Sequence, residues 1–404
     1  MQNDTGETGL FISADIQPGI SLVSFLNEDM PCLTRLTVTN RTGKDISNLK
    51  VKVSFTPAIA DEKVIDFSFV AKDTSVEASP QDLSILAFNS SYMSVVHDRA
   101  DGMVSIKAFA PGNPEALNTV ELHTQLLPYD TWGGTGDLKY KYLASFVMPT
   151  SEGIRHVAGI AAGKCKSLVG YQSGPQEVVN EMTAVFDAIK SQEIKYFNPP
   201  ASFQTVGQRI RIPEFCLREK QGTCLDMAVL YASVLESLGL NPVVVVIDGH
   251  AYAGCFLEPD AGFDDCLESN PTTVLSFNQQ EQLLLVECTY MNESSTASFR
   301  DAIDLGKYST IHFNGFFCAV DIRMCRNSGQ INPLPIRIDL VTSQLLLVTD
   351  TGEADYRGFD LDPRRRLMLS ATHKNKTMLD GRANNLRDYT MRNRLRKRNP
   401  TTNL

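Results

Sequence analysis

The sequence predicts an α+β protein: an antiparallel β-sandwich, then a domain in which one buried helix meets a sheet, then a short basic C-terminal extension. Three observations carry this prediction. Residues from about 10 to 130 alternate apolar and polar side chains between turn signals. A single long apolar stretch, Cys224 to Leu238, has helix length and helix punctuation. Strand-length apolar runs follow it, bounded by Pro, Gly and Asp. A chain of 404 residues with 43% apolar content is long enough for two or three cored domains. The predicted boundaries are 1–135, 136–335 and 336–404.

In the first region the alternation is clearest at Leu36/Val38, Leu49/Val51/Val53/Phe55, Val104/Ile106/Ala108 and Val120/Leu122/Thr124/Leu126. Thr42-Gly43-Lys44-Asp45, Asp101-Gly102 and Pro111-Gly112-Asn113 supply the turns. Short strands punctuated in this way read as an immunoglobulin-like sandwich, here without a disulfide pair. His97 and His123 have no nucleophile beside them and read as surface or core histidines, so the sandwich is expected to be an interaction or scaffold module. Asp130 to Gly136 reads as a linker, with Trp132 expected to pin the two domains together.

Next come a helix from Glu177 to Lys190 and the central helix. Gly222-Thr223 opens the latter, Gly239 ends it, and its apolar positions leave only a narrow polar edge, which predicts a buried helix. Cys224 lies in its first turn, where unpaired N–H groups and the helix dipole favour a thiolate. Val243 to Ile247 then reads as a buried strand, Asp248-Gly249 as a turn, and Ala251 to Leu257 as the returning strand with His250 at its start. Leu283 to Val286 forms another strand and ends at Glu287. A thiol, an imidazole and a carboxylate thus sit at a helix start, a strand start and a strand end, separated by 26 and 37 residues. Together they have the chemistry of nucleophile, base and orienting acid. Asp321, on the strand Phe316 to Ile322, and Asp226 are rival acids. Asp226 is expected to point away from the thiol, being only two positions further along the helix. A helix from Phe299 to Leu305 lies between these strands, and a β-ribbon (Ile336 to Leu340, Leu345 to Val348) follows the domain.

At Gly222-Thr223-Cys224, Gly249-His250-Ala251 and Glu287-Cys288-Thr289 the chain resembles the transglutaminase-like superfamily, relatives of the papain-type cysteine peptidases. Residues of roughly 140 to 335 are covered, including Arg211-Ile212-Pro213-Glu214 and Leu217-Arg218-Glu219-Lys220 ahead of the cysteine. The resemblance implies a Cys224–His250–Glu287 triad, with Glu287 where the family usually carries Asp. An oxyanion would be held by the Cys224 N–H and an upstream side chain, for which Gln208 has suitable chemistry. The implied activity is attack on a peptide or amide bond through an acyl-enzyme. Water as acceptor gives a cysteine peptidase or amidase, and a lysine amine gives a transglutaminase. A second likeness covers Tyr196 to Phe203, Gly207 to Pro213 and Leu386 to Leu395. These segments are similar to the N-terminal part of large bacterial helicase/nuclease-type proteins, which implies a place in a defence or DNA-processing assembly. A catalytically silent binding module that scaffolds such a complex is the alternative. No Gly-x-x-x-x-Gly-Lys-Ser/Thr sequence occurs in the chain.

Composition excludes other classes. The net charge of −9 argues against a nucleic-acid binder as a whole. From Asp362 onward, however, twelve Lys and Arg face three Asp, a charge that suits a solvated helix, a join to a following domain, docking as a helix or, as the lesser alternative, nucleic-acid contact through phosphates. Nine scattered cysteines without a Cys-x-x-Cys pair predict a reduced, cytoplasmic protein with no disulfide framework, metal site or cofactor. The start carries no signal-peptide pattern, and no apolar run is long enough for a membrane span.

Overall fold

A computed structural model describes residues 8–26, 31–83, 96, 98–133, 137–165, 168–197, 207–311, 315–329, 331–338 and 345–347. It is a mixed α+β protein that divides into two compact units, Met1–Leu334 and Pro335–Leu404.

The chain begins with β1 (Gly9–Ile16), β2 (Gly19–Ile20), α1 (Leu22–Leu26), β3 (Leu33–Arg41), β4 (Ile46–Thr56), β5 (Lys63–Val70), β6 (Thr74–Glu77), α2 (Pro80–Leu83), β7 (Ala100–Phe109) and β8 (Asn118–Leu126). They form a three-stranded sheet, β1-β3-β6, and a five-stranded sheet, β2-β8-β7-β4-β5. The alternation read from the sequence is real burial: Leu49, Val51, Val53 and Phe55 of β4 are buried, while Lys50 and Thr56 face water. Asn40 ties the sheets together. Fully buried on β3, it donates from Nδ2 to the Val70 carbonyl on β5 at 3.0 Å and to the Lys44 carbonyl at 2.8 Å. A buried amide persists only when satisfied in this way. His123 is exposed on β8, and His97 lies outside the described residues.

The second part follows with β9 (Thr131–Trp132), a 3-10 segment (Asp137–Phe146), α3 (Glu152–Lys164), α4 (Pro175–Lys190), β10 (Lys195–Tyr196), β11 (Gln208–Arg209), α5 (Pro213–Glu219), β12 (Gln221–Gly222) and α6 (Cys224–Ser237). After α6 come β13 (Asn241–Ile247), β14 (His250–Phe256), β15 (Leu267–Glu268), α7 (Pro271–Gln279), β16 (Leu283–Val286), α8 (Phe299–Ile311), β17 (Phe316–Asp321) and α9 (Ile322–Asn327). β15-β17-β13-β14-β16 make one sheet in which every neighbouring pair is antiparallel. One face is packed by Tyr252, Phe256, Phe263, Val274 and Leu285, with edge-to-face ring contacts at 5.1 to 5.6 Å.

Every residue of α6 from Leu225 to Leu235 is buried, the all-round burial its composition predicts. Its end is fixed by Gly239, whose φ of +80° suits a residue without Cβ. There the Gly239 N–H donates to the Glu236 carbonyl and the Leu240 N–H to that of Leu235, closing the helix by the Schellman pattern. Arg326 of α9 clamps the same end. It makes two bonds to the Glu236 carboxylate at 2.9 and 3.0 Å, and donates to the Val147 and Ile331 carbonyls.

Trp132 is buried, lies against Tyr140 at 5.4 Å between ring centroids, and pairs through β9 with Gln208 of β11. Arg209 grips Asp130 through both carboxylate oxygens. The stretch read as a linker is thereby fastened to the strand that leads toward α6. β18 (Ile336–Ile338) and β19 (Leu345–Leu347) form the antiparallel ribbon of the second unit. The basic tail, including the segment from Leu386 to Leu395, lies outside the described residues. Among the described residues no helix is long and apolar enough to cross a membrane.

Candidate functional site

Cys224 is the first residue of α6. Thr223 precedes it as N-cap: its hydroxyl accepts the Asp226 N–H at 3.2 Å, and Asp226 Oδ2 accepts the Thr223 N–H at 2.9 Å. This reciprocal box fixes the angle at which the chain enters the helix, and so the position of the thiol. Asp226 does more than cap. Its Oδ1 accepts the Arg211 N–H at 2.8 Å, and the Arg211 guanidinium lies 3.6 Å from Oδ2. Burial raises the Asp226 carboxyl above its ordinary value, while these bonds and Arg211 pull it back. Asp226→Ala is expected to destabilise the fold by about 2–3 kcal/mol, because it removes a cap and strands a backbone N–H. Urea unfolding of the two proteins measures this, and Asp226→Asn, which keeps one acceptor, is expected to recover part of the loss.

His250 opens β14, directly across from Ile247 at the end of β13, with Asp248-Gly249 as the turn. Its Nε2 lies 2.8 Å from Glu287 Oε2, and Cys224 is near enough to the ring to act on its protonation. Because Nε2 is engaged by the carboxylate, Nδ1 is the nitrogen left for the thiol. Burial disfavours the imidazolium here, but the hydrogen bonds and charges of Cys224 and Glu287 outweigh it and push the imidazole up to about 10.

Glu287 follows β16 and is 2% exposed. Its second oxygen, Oε1, accepts the Thr289 N–H at 3.0 Å and the Thr289 hydroxyl at 2.7 Å. Its backbone N–H is held by the Ala302 carbonyl of α8. Burial opposes its ionisation, yet His250 and Thr289 together hold it below the usual carboxylate range. Both oxygens are occupied in a way that aims Oε2 at the imidazole.

Asp321, the rival acid, caps α9: Oδ1 accepts the Met324 N–H and Oδ2 the Phe263 N–H. It pairs with Val243, four residues along β13 from the Ile247 that faces His250. That is roughly 13 Å along the strand, out of reach of the imidazole. Gln208 is exposed on β11, and among the described residues its side chain makes no hydrogen bond to Cys224, His250 or Glu287.

One neighbour of the thiol went unrecognised as a site residue. Parallel pairing of β10 with β12 puts Tyr196 across from Gly222, two residues before Cys224, and burial together with the nearby Cys224 raises its phenol above the ordinary value. In the sequence it is one aromatic residue in a strand-like run, with no spacing to mark it. Only the β10–β12 pairing, across 26 residues, brings it to the cysteine.

Cys224, His250 and Glu287 therefore lie together, the imidazole bonded to the carboxylate and influenced by the thiol, with Tyr196 near the thiol as well. Among the described residues no cluster of His, Cys, Asp and Glu is arranged to hold a metal ion. No protein-family model matches the chain, and no curated protein matches it either.

Proposed function

We propose that this chain is a transglutaminase-like thiol enzyme that cleaves a peptide or amide bond through an acyl-enzyme, with water as acceptor. The observation that carries the reading is the imidazole of His250, 2.8 Å from a carboxylate held by Thr289 and close enough to Cys224 for the thiol to act on its protonation. On this reading Cys224 attacks the acyl carbon as a thiolate, and His250 passes its proton to the leaving amine. His250 then takes a proton from water, which releases the acid and restores the thiol. Glu287 keeps the imidazole in the tautomer and orientation that these transfers need. The Cys224 N–H at the helix start faces the developing oxyanion. The two N-terminal sheets are read as a sandwich serving interaction. The partners proposed with this fold are a peptide or protein substrate and, by resemblance, a larger helicase/nuclease-type assembly.

Thiol reactivity tests it directly. Of the nine free cysteines only Cys224 and Cys165 are not buried. Burial pushes Cys255 up to about 12 and raises Cys32, Cys216, Cys288 and Cys325 as well. Iodoacetamide is therefore expected to alkylate Cys224 well below pH 8 and ahead of the other eight cysteines, with His250→Ala slowing it at least ~10-fold at pH 6. Labelling of Cys165 at the same rate, or reaction of Cys224 only above pH 8, would sink the reading.

A further inference from the structure

We propose that Gly306 is a positioning residue for Glu287: lacking a side chain, it lets α8 press its backbone against β16 and hold the acid at His250. The role rests on the thiol-enzyme reading above and accounts for what keeps its orienting acid in place. β16 is an edge strand, and its ladder with β14 ends at the Ala253–Val286 pair, one residue before the acid. The next backbone hydrogen bond leaves the sheet: the Glu287 N–H donates to the Ala302 carbonyl of α8 at 3.0 Å.

Ala302 and Gly306 are both buried and lie one helical turn apart, so they share a face of α8. In an α-helix the carbonyl of residue 302 also takes the N–H of residue 306, and a carbonyl oxygen has room for both donors. Gly306 and Glu287 are thus tied to the same oxygen. At Gly306 the helix meets the peptide group between Leu285 and Val286. A Cβ there would lie 2.8 Å from the Leu285 carbonyl oxygen, 2.9 Å from its carbon and 3.0 Å from the Val286 nitrogen. All three atoms are backbone, so no change of rotamer relieves the contact. Helix and strand would have to part by roughly 0.5–1 Å to reach ordinary contact distances. That stretches the 3.0 Å bond from Glu287 past its useful range. Thr289 lies in the same turn as the acid and would move with it. His250 stays on β14, so the displacement is felt at the 2.8 Å contact between Nε2 and Oε2.

Gly306→Ala adds one methyl group at this contact. The probe is p-nitrophenyl acetate, which acetylates a thiol with loss of p-nitrophenolate before water releases acetate. Its kcat is expected to fall about 10-fold while KM stays within about 2-fold. In a Glu287→Ala background the same change is expected to have no further effect, because Gly306 acts through the acid. An equal fold-loss in both backgrounds means a merely structural role and overturns the proposal. The His250 imidazole, followed by NMR, gives a readout that needs no turnover. Glu287 and Cys224 act on its protonation, and of these it is Glu287 that bonds to α8. The imidazole midpoint is expected to drop by about one pH unit or more in Gly306→Ala. It should not move in Gly159→Ala, at a glycine of α3 where a Cβ meets nothing within 4 Å. An unchanged midpoint in folded Gly306→Ala overturns the proposal. Wild-type protein that does not turn over the ester overturns the thiol-enzyme reading, and the imidazole midpoint then still decides the role of Gly306. If Gly306→Ala does not fold, amide exchange of the wild type decides. The Glu287 N–H is expected to be protected by at least ~100-fold, and exchange at the unprotected rate overturns the proposal.

Discussion

Cys224→Ala is expected to abolish acyl transfer, by about 10⁴-fold or more, and to leave the fold intact. The size of the effect follows from the division of labour in the site. On the proposed mechanism His250 and Glu287 act on a bond that only the sulfur forms, so without it they have nothing to position. Structural cost is small: the residue is half-buried, at the first position of α6, and alanine is the best helix former. The Thr223–Asp226 box and the Arg211 bond to Asp226 bypass the side chain. The measurements are turnover of a peptide or ester substrate, circular dichroism, and urea midpoints agreeing within about 0.5 kcal/mol. Full activity in Cys224→Ala would dismiss the thiol chemistry.

The next largest effect belongs to Glu287. Glu287→Ala is expected to lower turnover by about 10²- to 10⁴-fold, less than the loss of the nucleophile, because an orienting acid leaves the thiol in place. It should also cost stability. Removing the carboxylate leaves the Thr289 N–H and hydroxyl without their acceptor and the imidazole without its partner. We expect about 2 kcal/mol, below the range for fully buried pairs because the imidazole is 27% exposed. The loss should depend on pH in a definite direction. The imidazole binds its proton more tightly folded than unfolded. Its contribution is therefore complete below the ordinary value of 6.5 and is lost as pH rises through about 10. Glu287 is shifted the other way: its contribution is present above the ordinary value of 4.5 and is lost as pH falls through its lowered value in the fold. The gap in urea midpoint between wild type and Glu287→Ala should thus be widest between pH 4.5 and 6.5 and should narrow toward pH 3 and pH 10. A gap that is flat across this range would mean that the pair does not couple to folding.

Much of this architecture is legible in one dimension, for identifiable reasons. Alternation of period two survives as burial on β4, and the apolar run from Leu225 to Leu235 survives as a helix buried on all sides. Glycine at 239 ends that helix because its backbone enters a conformation that side chains disfavour. The strand Leu283–Val286 is bounded in the structure as its composition suggests. Other elements leave weaker traces. The helix read as Phe299 to Leu305 runs on to Ile311. Asp321 looks like a second acid on a buried strand, and only the helix that begins at Ile322 shows it to be a cap.

The sequence alone determined which groups could do chemistry: a cysteine at a helix start, a histidine after a tight turn, a glutamate at a strand end. Those assignments follow from local rules of capping, turns and periodicity, which act over a few residues. Tertiary structure decided which of them meet. The β14–β16 pairing carries Glu287 to His250 across 37 residues, whereas the β13–β17 register leaves Asp321 at the far end of the sheet. The parallel β10–β12 pair sets Tyr196 opposite Gly222, while Gln208 lies on another strand pair. Register is set by the sum of side-chain packing over whole strands, and no short motif encodes that sum.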